Sequence, residues 1–201
     1  MTGSSMPMIG AVEPVAAAEL AAAAFGDDPM FTNILPTAKS RTRLLARMLA
    51  ASFRMDLKHG GSLVGAKVDG RLAGIALWHP RADADPPWWT WLRQAGLLVN
   101  VVSRPRAGGR AVRVTQAVEK LRPLQGTHSY LRVHAVAPVL QGRGLGSALM
   151  EDILGRSRLL HRKIYLETFR ERNIRYYGRF GFKVLSTVRL PERPAFWALS
   201  T

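Results

Sequence analysis

The stretch "AVAPVLQGRGLGSALME", residues 135–151, sets three alternating glycines, Gly142, Gly144 and Gly146, between a strand-like run and a helix-like one. Glycines at such a junction let the backbone approach another group closely and leave N–H groups pointing outward. A helix N-terminus behind that turn favours anions, because its unpaired N–H groups and its dipole both attract phosphate oxygens. Two familiar phosphate loops are excluded. A Walker loop needs Gly-Lys-Ser/Thr, which the chain lacks. The dinucleotide fingerprint G-x-G-x-x-G needs a glycine three residues after Gly144, where Ser147 stands.

Outward from that turn, the pattern alternates strands and helices. Before it, "HSYLRVHAV" reads as a strand; after it, residues 144–162 read as a helix with Leu145, Leu149 and Ile153 on one side. "KIYLET" is the next strand, "NIRYYGRF" a short helix closed by Gly181, and "KVLSTVRL" with "AFWALS" a final hairpin. Upstream, residues 14–25 form a short helix with Pro14 in its first turn, and "GDDPMFTNILP" reads as a loop. Leu44, Leu45, Met48, Leu49 and Phe53 recur at helical spacing between Lys39 and about His59, where "HGG" stops the helix. "SLVGAKVDGRLAGIALWHP" is a hairpin around Asp69-Gly70, the strongest short turn signal. The fold class expected is mixed α/β, a central sheet of six or seven strands flanked by helices. A two-helix insertion over about 81–125 is expected to lie across one end of the sheet.

At 201 residues the chain reads as one domain, 1–201, of ordinary globular composition, 47% hydrophobic and 21% charged. With no cysteine, disulfides, thiolate metal sites and a cysteine nucleophile are all excluded. Five scattered histidines with no i, i+4 pair give no metal signature, so no metal is expected. "MTGSSMPMIG" lacks the basic start and apolar stretch of a secretory signal, and the run Val15–Phe25 is too short to cross a bilayer. The expected location is cytoplasmic, with no membrane partner. The formal charge of +15 favours anionic partners, but the arginines are dispersed and no run reaches four. Neither a helix-turn-helix nor an aromatic nucleic-acid motif accompanies them, so no specific nucleic acid is expected.

Gln141-x-x-Gly144-x-Gly146 after a strand and Pro138 resembles the pyrophosphate loop of the GNAT superfamily of N-acetyltransferases. "NIRYYGRFGF" resembles the family's N-x-x-x-Y-x-x-x-G-F block, in order and at the expected distance. The resemblance runs over about 129–200, and upstream "AFGDDPMF", the long second helix and the Asp69-Gly70 hairpin resemble the family's opening. The C-terminal run from Tyr165 looks closest to the puromycin N-acetyltransferase-like branch. The resemblance implies acetyl-coenzyme A as acyl donor. Its pyrophosphate would lie on the backbone of Gln141, Gly142, Arg143, Gly144, Leu145, Gly146 and Ser147, and its pantetheine arm along His134, Ala135 and Val136, where two strands splay. It implies direct acetyl transfer to the amine of a small molecule, and leaves a homodimer open.

Such a transfer needs the ammonium deprotonated, the oxyanion stabilised and the leaving thiolate protonated. By the resemblance, Tyr177 matches the family's thiolate-protonating tyrosine and Asn173 a position that hydrogen-bonds pantetheine; Asn173 reads equally as a helix N-cap. Glu167, at a strand end near the expected acceptor, is the candidate base, and equally an ion-paired glutamate. His134 has a suitable intrinsic pKa but also the look of a hydrogen-bonded core histidine. Asp27 and Asp28 are candidates to hold a cationic acceptor. Trp88 and Trp89, with Trp91, can form an acceptor wall or pin their helix to the core. His79 and His128 have no constellation in the sequence. Two other classes stay open: a protein amino-group acetyltransferase, which needs an open peptide groove that the insertion disfavours, and a non-catalytic acyl-coenzyme A sensor, which would not need Tyr177.

Overall fold

Asp69 and Gly70 both take positive φ, 50° and 75°, the two-residue turn whose twist matches a right-handed hairpin. That turn joins β2 (Ser62–Val68) to β3 (Arg71–His79), antiparallel and in register from Ser62↔Trp78. The structure is a computed structural model and describes residues 7–34, 41–81, 128–189 and 195–201. Apart from Arg81, the expected insertion, with Trp88, Trp89 and Trp91, lies outside the described residues.

The other elements are β1 (Met8–Ala11), α1 (Pro14–Ala24), α2 (Pro29–Ile34), α3 (Arg41–Lys58), β4 (His128–Val136) and a 3-10 turn at Pro138–Leu140. Then follow α4 (Leu145–Leu159), β5 (Lys163–Thr168), α5 (Arg172–Gly178), β6 (Lys183–Val188) and β7 (Phe196–Ser200). The seven strands form one mixed sheet in the order β1-β2-β3-β4-β5-β7-β6. The expected mixed sheet with flanking helices is what the chain builds.

Two apolar clusters face the two sides of the sheet. Leu45, Leu49 and Phe53 recur every four residues along α3 and pack with Ile75, Leu77 and Val133. Ala17, Ala18, Ala21 and Ala22 of α1 are fully buried in the same cluster, small enough to bring that helix close. On the other side Leu149, Met150 and Ile153 of α4 meet Ile164, Leu166 and Leu199. No described helix is long and apolar enough to cross a membrane.

Two elements depart from the sequence reading. β1 is a four-residue, largely exposed edge strand, held by backbone pairing with β2 from Met8↔Lys67 to Ala11↔Val64. It carries no buried face for a pattern to reveal. "GDDPMF", read as a loop, contains the start of α2: Asp28 Oδ1 accepts the Met30 N–H at 2.9 Å, and Pro29 takes the first helical position.

The feature that positions the site lies between β4 and β5. These parallel strands pair at His128↔Lys163, Ser129↔Ile164 and Tyr130↔Tyr165 and then part. The β3–β4 register slips just there: Trp78 faces Leu131 and Leu77 faces Val133, so Arg132 is a bulge residue. A bulge bends its strand. Asp56 of α3, fully buried, fixes it from behind: its Oδ1 accepts from His79 Nε2 at 2.9 Å, and its Oδ2 from Arg132. Arg132 also donates to Ser52 Oγ at 2.7 Å. A buried carboxylate is tolerated only with such partners. His79 therefore has a constellation, which sequence spacing conceals because Asp56 and Arg132 come from distant elements.

Candidate active site

Beyond Tyr130 and Tyr165, the inner edges of β4 and β5 have no partner strand among the described residues. β4 stays paired on its outer side to β3 as far as Val136, and β5 to β7 as far as Thr168. The gap between them continues into a cavity of about 560 Å³. His134, Ala135 and Val136 line it from β4.

The glycine turn closes one end of this cavity. Gly142 and Gly144 adopt φ of 79° and 82°, the left-handed region where a side chain is strained. Gly144 is also the N-cap of α4. The first helical bond there runs from Ala148 N–H to the Gly144 carbonyl. The six preceding amides, Gly142 to Ser147, make no backbone hydrogen bond among the described residues. Gln141, Gly142, Gly144, Leu145, Gly146 and Ser147 all line the cavity, whereas Arg143 is exposed and does not. A set of unpaired N–H groups at a helix N-terminus is a fit for a diphosphate.

Gly146 has a different reason. A Cβ there would stand 3.0 Å from the Tyr176 hydroxyl and 3.5 Å from His134 Cε1. The third glycine thus makes room for this chain's own tyrosine. Gly146→Ala is expected to lower stability by about 1 kcal/mol, the cost of overpacking less the helix propensity that alanine gains over glycine in α4. Adding Tyr176→Phe, which removes the obstructing oxygen, is expected to restore most of it. Thermal melts of the two single variants and the double variant measure this coupling, and simple additivity would contradict it.

The opposite wall comes from α5. Asn173, Tyr176 and Tyr177 line the cavity, and Tyr177 packs its ring 5.1 Å from Tyr176 and 5.6 Å from Phe182. Burial, with Tyr176 beside it, pushes the Tyr177 phenol well above its ordinary pKa, so it holds its proton at neutral pH. Burial likewise raises Tyr176 to about 12, offset in part by Ser147 and Arg179. Asn173 is not the helix cap. Glu171 holds that position without a side-chain bond, and Asn173 Nδ2 donates to Thr168 Oγ1 at 2.9 Å.

His134 is held at about pKa 4 by burial, against the opposing effect of the Gly146 carbonyl. It is therefore neutral, and its Nε2–H donates to that carbonyl at 3.1 Å. The basic lone pair is then on Nδ1, but burial makes protonation there costly, which favours an anchoring role over a basic one.

At another part of the rim, Ala24 at the end of α1 and Phe25 and Asp28 of the α1–α2 turn line the cavity beside Arg170. Arg170 Nε donates to Asp28 Oδ2 at 3.3 Å, and its NH2 donates to Asp27 Oδ1 at 2.6 Å. Burial pushes the Asp28 carboxyl above its usual range, opposed by the Met30 amide and Arg170. The Arg170 hydrogen bond holds Asp27 below its usual range. Sequence reading named both aspartates without finding Arg170, 142 residues away from Asp28.

Glu167 does not line this cavity. Strand alternation puts it on the face of β5 that carries Tyr165, opposite the face of Leu166 and Thr168 that α4 and α5 cover; its Oε1 is shielded from solvent. Among the described residues, no group of three histidine, aspartate or glutamate side chains is arranged to hold a metal ion.

Several solved structures share this architecture. A Corynebacterium glutamicum protein, solved as histone acetyltransferase HPA2 and related acetyltransferase, matches with TM-score 0.72 and 21% identity over 97% of this chain and 95% of that one. A polyamine N-acetyltransferase from Drosophila melanogaster matches with TM-score 0.59 and 15% identity, over 97% and 99%. The paia N-acetyltransferase from Thermoplasma acidophilum, solved in complex with coenzyme A, matches with TM-score 0.57 and 11% identity, over 97% and 98%. At these identities the likeness concerns the fold. The family itself is fixed by sequence: the model of the Acetyltransferase (GNAT) family matches residues 29–182, more than half of the chain with the glycine turn and α5 included, and the chain belongs to that family.

Proposed function

We propose that the protein is an acetyl-coenzyme A-dependent N-acetyltransferase of one domain that acetylates the amine of a small molecule directly, as in the puromycin N-acetyltransferase-like branch. One observation carries this reading. Two parallel strands part after three residue pairs, and the gap runs from the glycine turn, where six amides have no backbone partner among the described residues, to a buried tyrosine. An extended, amide-bearing arm with a diphosphate at one end fits that shape, since its amides find backbone partners on open strand edges.

In this reading the amides of 142–147 hold the diphosphate, His134 to Val136 accompany the pantetheine arm, and Asn173 hydrogen-bonds it. Tyr177 donates its proton to the departing sulfur. Burial raises phenol and thiol together, so the pair stays matched although Tyr177 is a weak acid. Glu167 takes the ammonium proton from the far face of the gap, directly or through water. Asp28 belongs to the acceptor end, and Trp88 and Trp89 are proposed for its wall on sequence grounds alone.

The test is acetyl-coenzyme A consumption against aromatic amines, aminoglycosides, polyamines and peptide amines. Turnover with one class of small amine is the expected result. Turnover confined to peptide amines would replace the acceptor class. Tight coenzyme binding with no turnover on any amine would favour the sensor reading.

A further inference from the structure

The rim of the cavity carries a charge arrangement that the transfer chemistry alone does not require. Among the described residues Asp28 is the acidic side chain of the cavity lining, and each of its oxygens already accepts a hydrogen bond. Oδ1 accepts the Met30 amide at 2.9 Å and Oδ2 accepts Arg170 Nε at 3.3 Å. The guanidinium also bonds Asp27 Oδ1 at 2.6 Å, outside the lining, where that side chain is 84% exposed. Arg170 itself is 17% exposed and lines the cavity, so an incoming amine meets it together with the Asp28 carboxylate that it holds. Arg172 and Arg179 add positive groups to the lining; Arg179 lies 5.0 Å over the Tyr176 ring, on the glycine-turn side, and answers to the diphosphate proposed there.

An acceptor amine attacks only as the neutral base, and a positive group near the reacting nitrogen favours that form. A second ammonium on the same molecule would seek a carboxylate, and among the described residues of the lining that carboxylate, Asp28, is already paired with Arg170. From this we infer that Arg170 is a specificity-determining residue: by occupying Asp28 it excludes polycationic amines and leaves the site to amines whose single cationic group is the one that reacts. The inference rests on the proposed acceptor end at Asp28.

The test compares spermidine, a polycation, with benzylamine, a monoamine, in the wild-type protein, Arg170→Gln, Arg170→Lys and Arg170→Gln with Asp28→Asn. Both kcat/KM and calorimetric affinity for the coenzyme A-loaded protein are measured. In Arg170→Gln the ratio of spermidine to benzylamine is expected to rise about tenfold, the factor that one near-surface charge pair supplies. Asp28→Asn is expected to cancel the gain, and Arg170→Lys to keep the wild-type ratio. A purely structural Arg170 would lower both amines together and leave the ratio unchanged, which overturns the inference. If neither amine is acetylated but both bind, the transferase reading fails while the affinity ratio still decides the role of Arg170. If neither amine binds wild type or variant, the acceptor end is not at Asp28, and the inference falls with it.

Discussion

Tyr177→Phe is expected to lower the single-turnover rate by roughly 10²–10⁴, the usual contribution of a positioned proton donor. The substitution removes one hydroxyl and keeps the ring that packs 5.6 Å from Phe182, so the fold and coenzyme binding should survive. The Michaelis constant for acetyl-coenzyme A should change little, because the lost interaction matters mainly while the thiolate departs. Single turnover is the correct readout, since product release can hide the chemical step. Across neutral pH the wild-type rate should show no fall that reports Tyr177 losing its proton, because burial has raised that phenol far above the range. A Tyr177→Phe protein with the wild-type single-turnover rate would assign the acid to another group.

Gly144→Val is expected to abolish measurable coenzyme binding in a protein that still folds. Gly144 sits at φ 82°, where a non-glycine residue is strained by roughly 1–2 kcal/mol and a β-branched one by more. Yet a Cβ at Gly144 meets nothing within 4 Å, so apart from the backbone strain there is room for it. What opposes it is the ligand, because the added methyls occupy the concavity that the amides of 142–147 face. Stability should therefore fall by a few degrees in melting temperature while calorimetry loses the coenzyme signal. Gly144→Ala should lie between the two. Unchanged affinity in a correctly folded Gly144→Val protein would remove the loop from the coenzyme site.

The comparison of these glycines shows what a sequence reveals. Gly142 and Gly144 are legible, since a left-handed turn at a helix start calls for glycine whatever surrounds it. Gly146 looks identical in sequence, but its cause is Tyr176, thirty residues on, and only the folded chain brings that hydroxyl to 3.0 Å. The hairpin at Asp69-Gly70, the buried stripe of α3 and the strand–turn–helix around Gly144 were all readable because their signals are local. β1 was not, because a short edge strand is held by its neighbour's backbone and needs no side-chain pattern. α2 was read as a loop: Asp28-Pro29, a cap followed by a first-turn proline, carried the signal, but six residues give periodicity no room.

The same division runs through the candidate site. The glycine turn was legible from its local pattern, Tyr177 and Asn173 through the family resemblance and Asp28 as a loop carboxylate, and Arg143 apart all border one cavity. Arg170 and Arg172, which border it too, look like ordinary solvated arginines in "FRERN". The ion pair at Asp56, which fixes the bulge at Arg132, joins residues 76 apart in sequence and has no local signature.

The central claim is that the gap between β4 and β5 is the coenzyme site, and a crystal structure with coenzyme A bound measures it most directly. The account predicts density for the diphosphate against the amides of 142–147, with the pantetheine arm beside His134 to Val136 and its sulfur within reach of the Tyr177 hydroxyl. A coenzyme lying elsewhere, with those amides left to solvent, would contradict it.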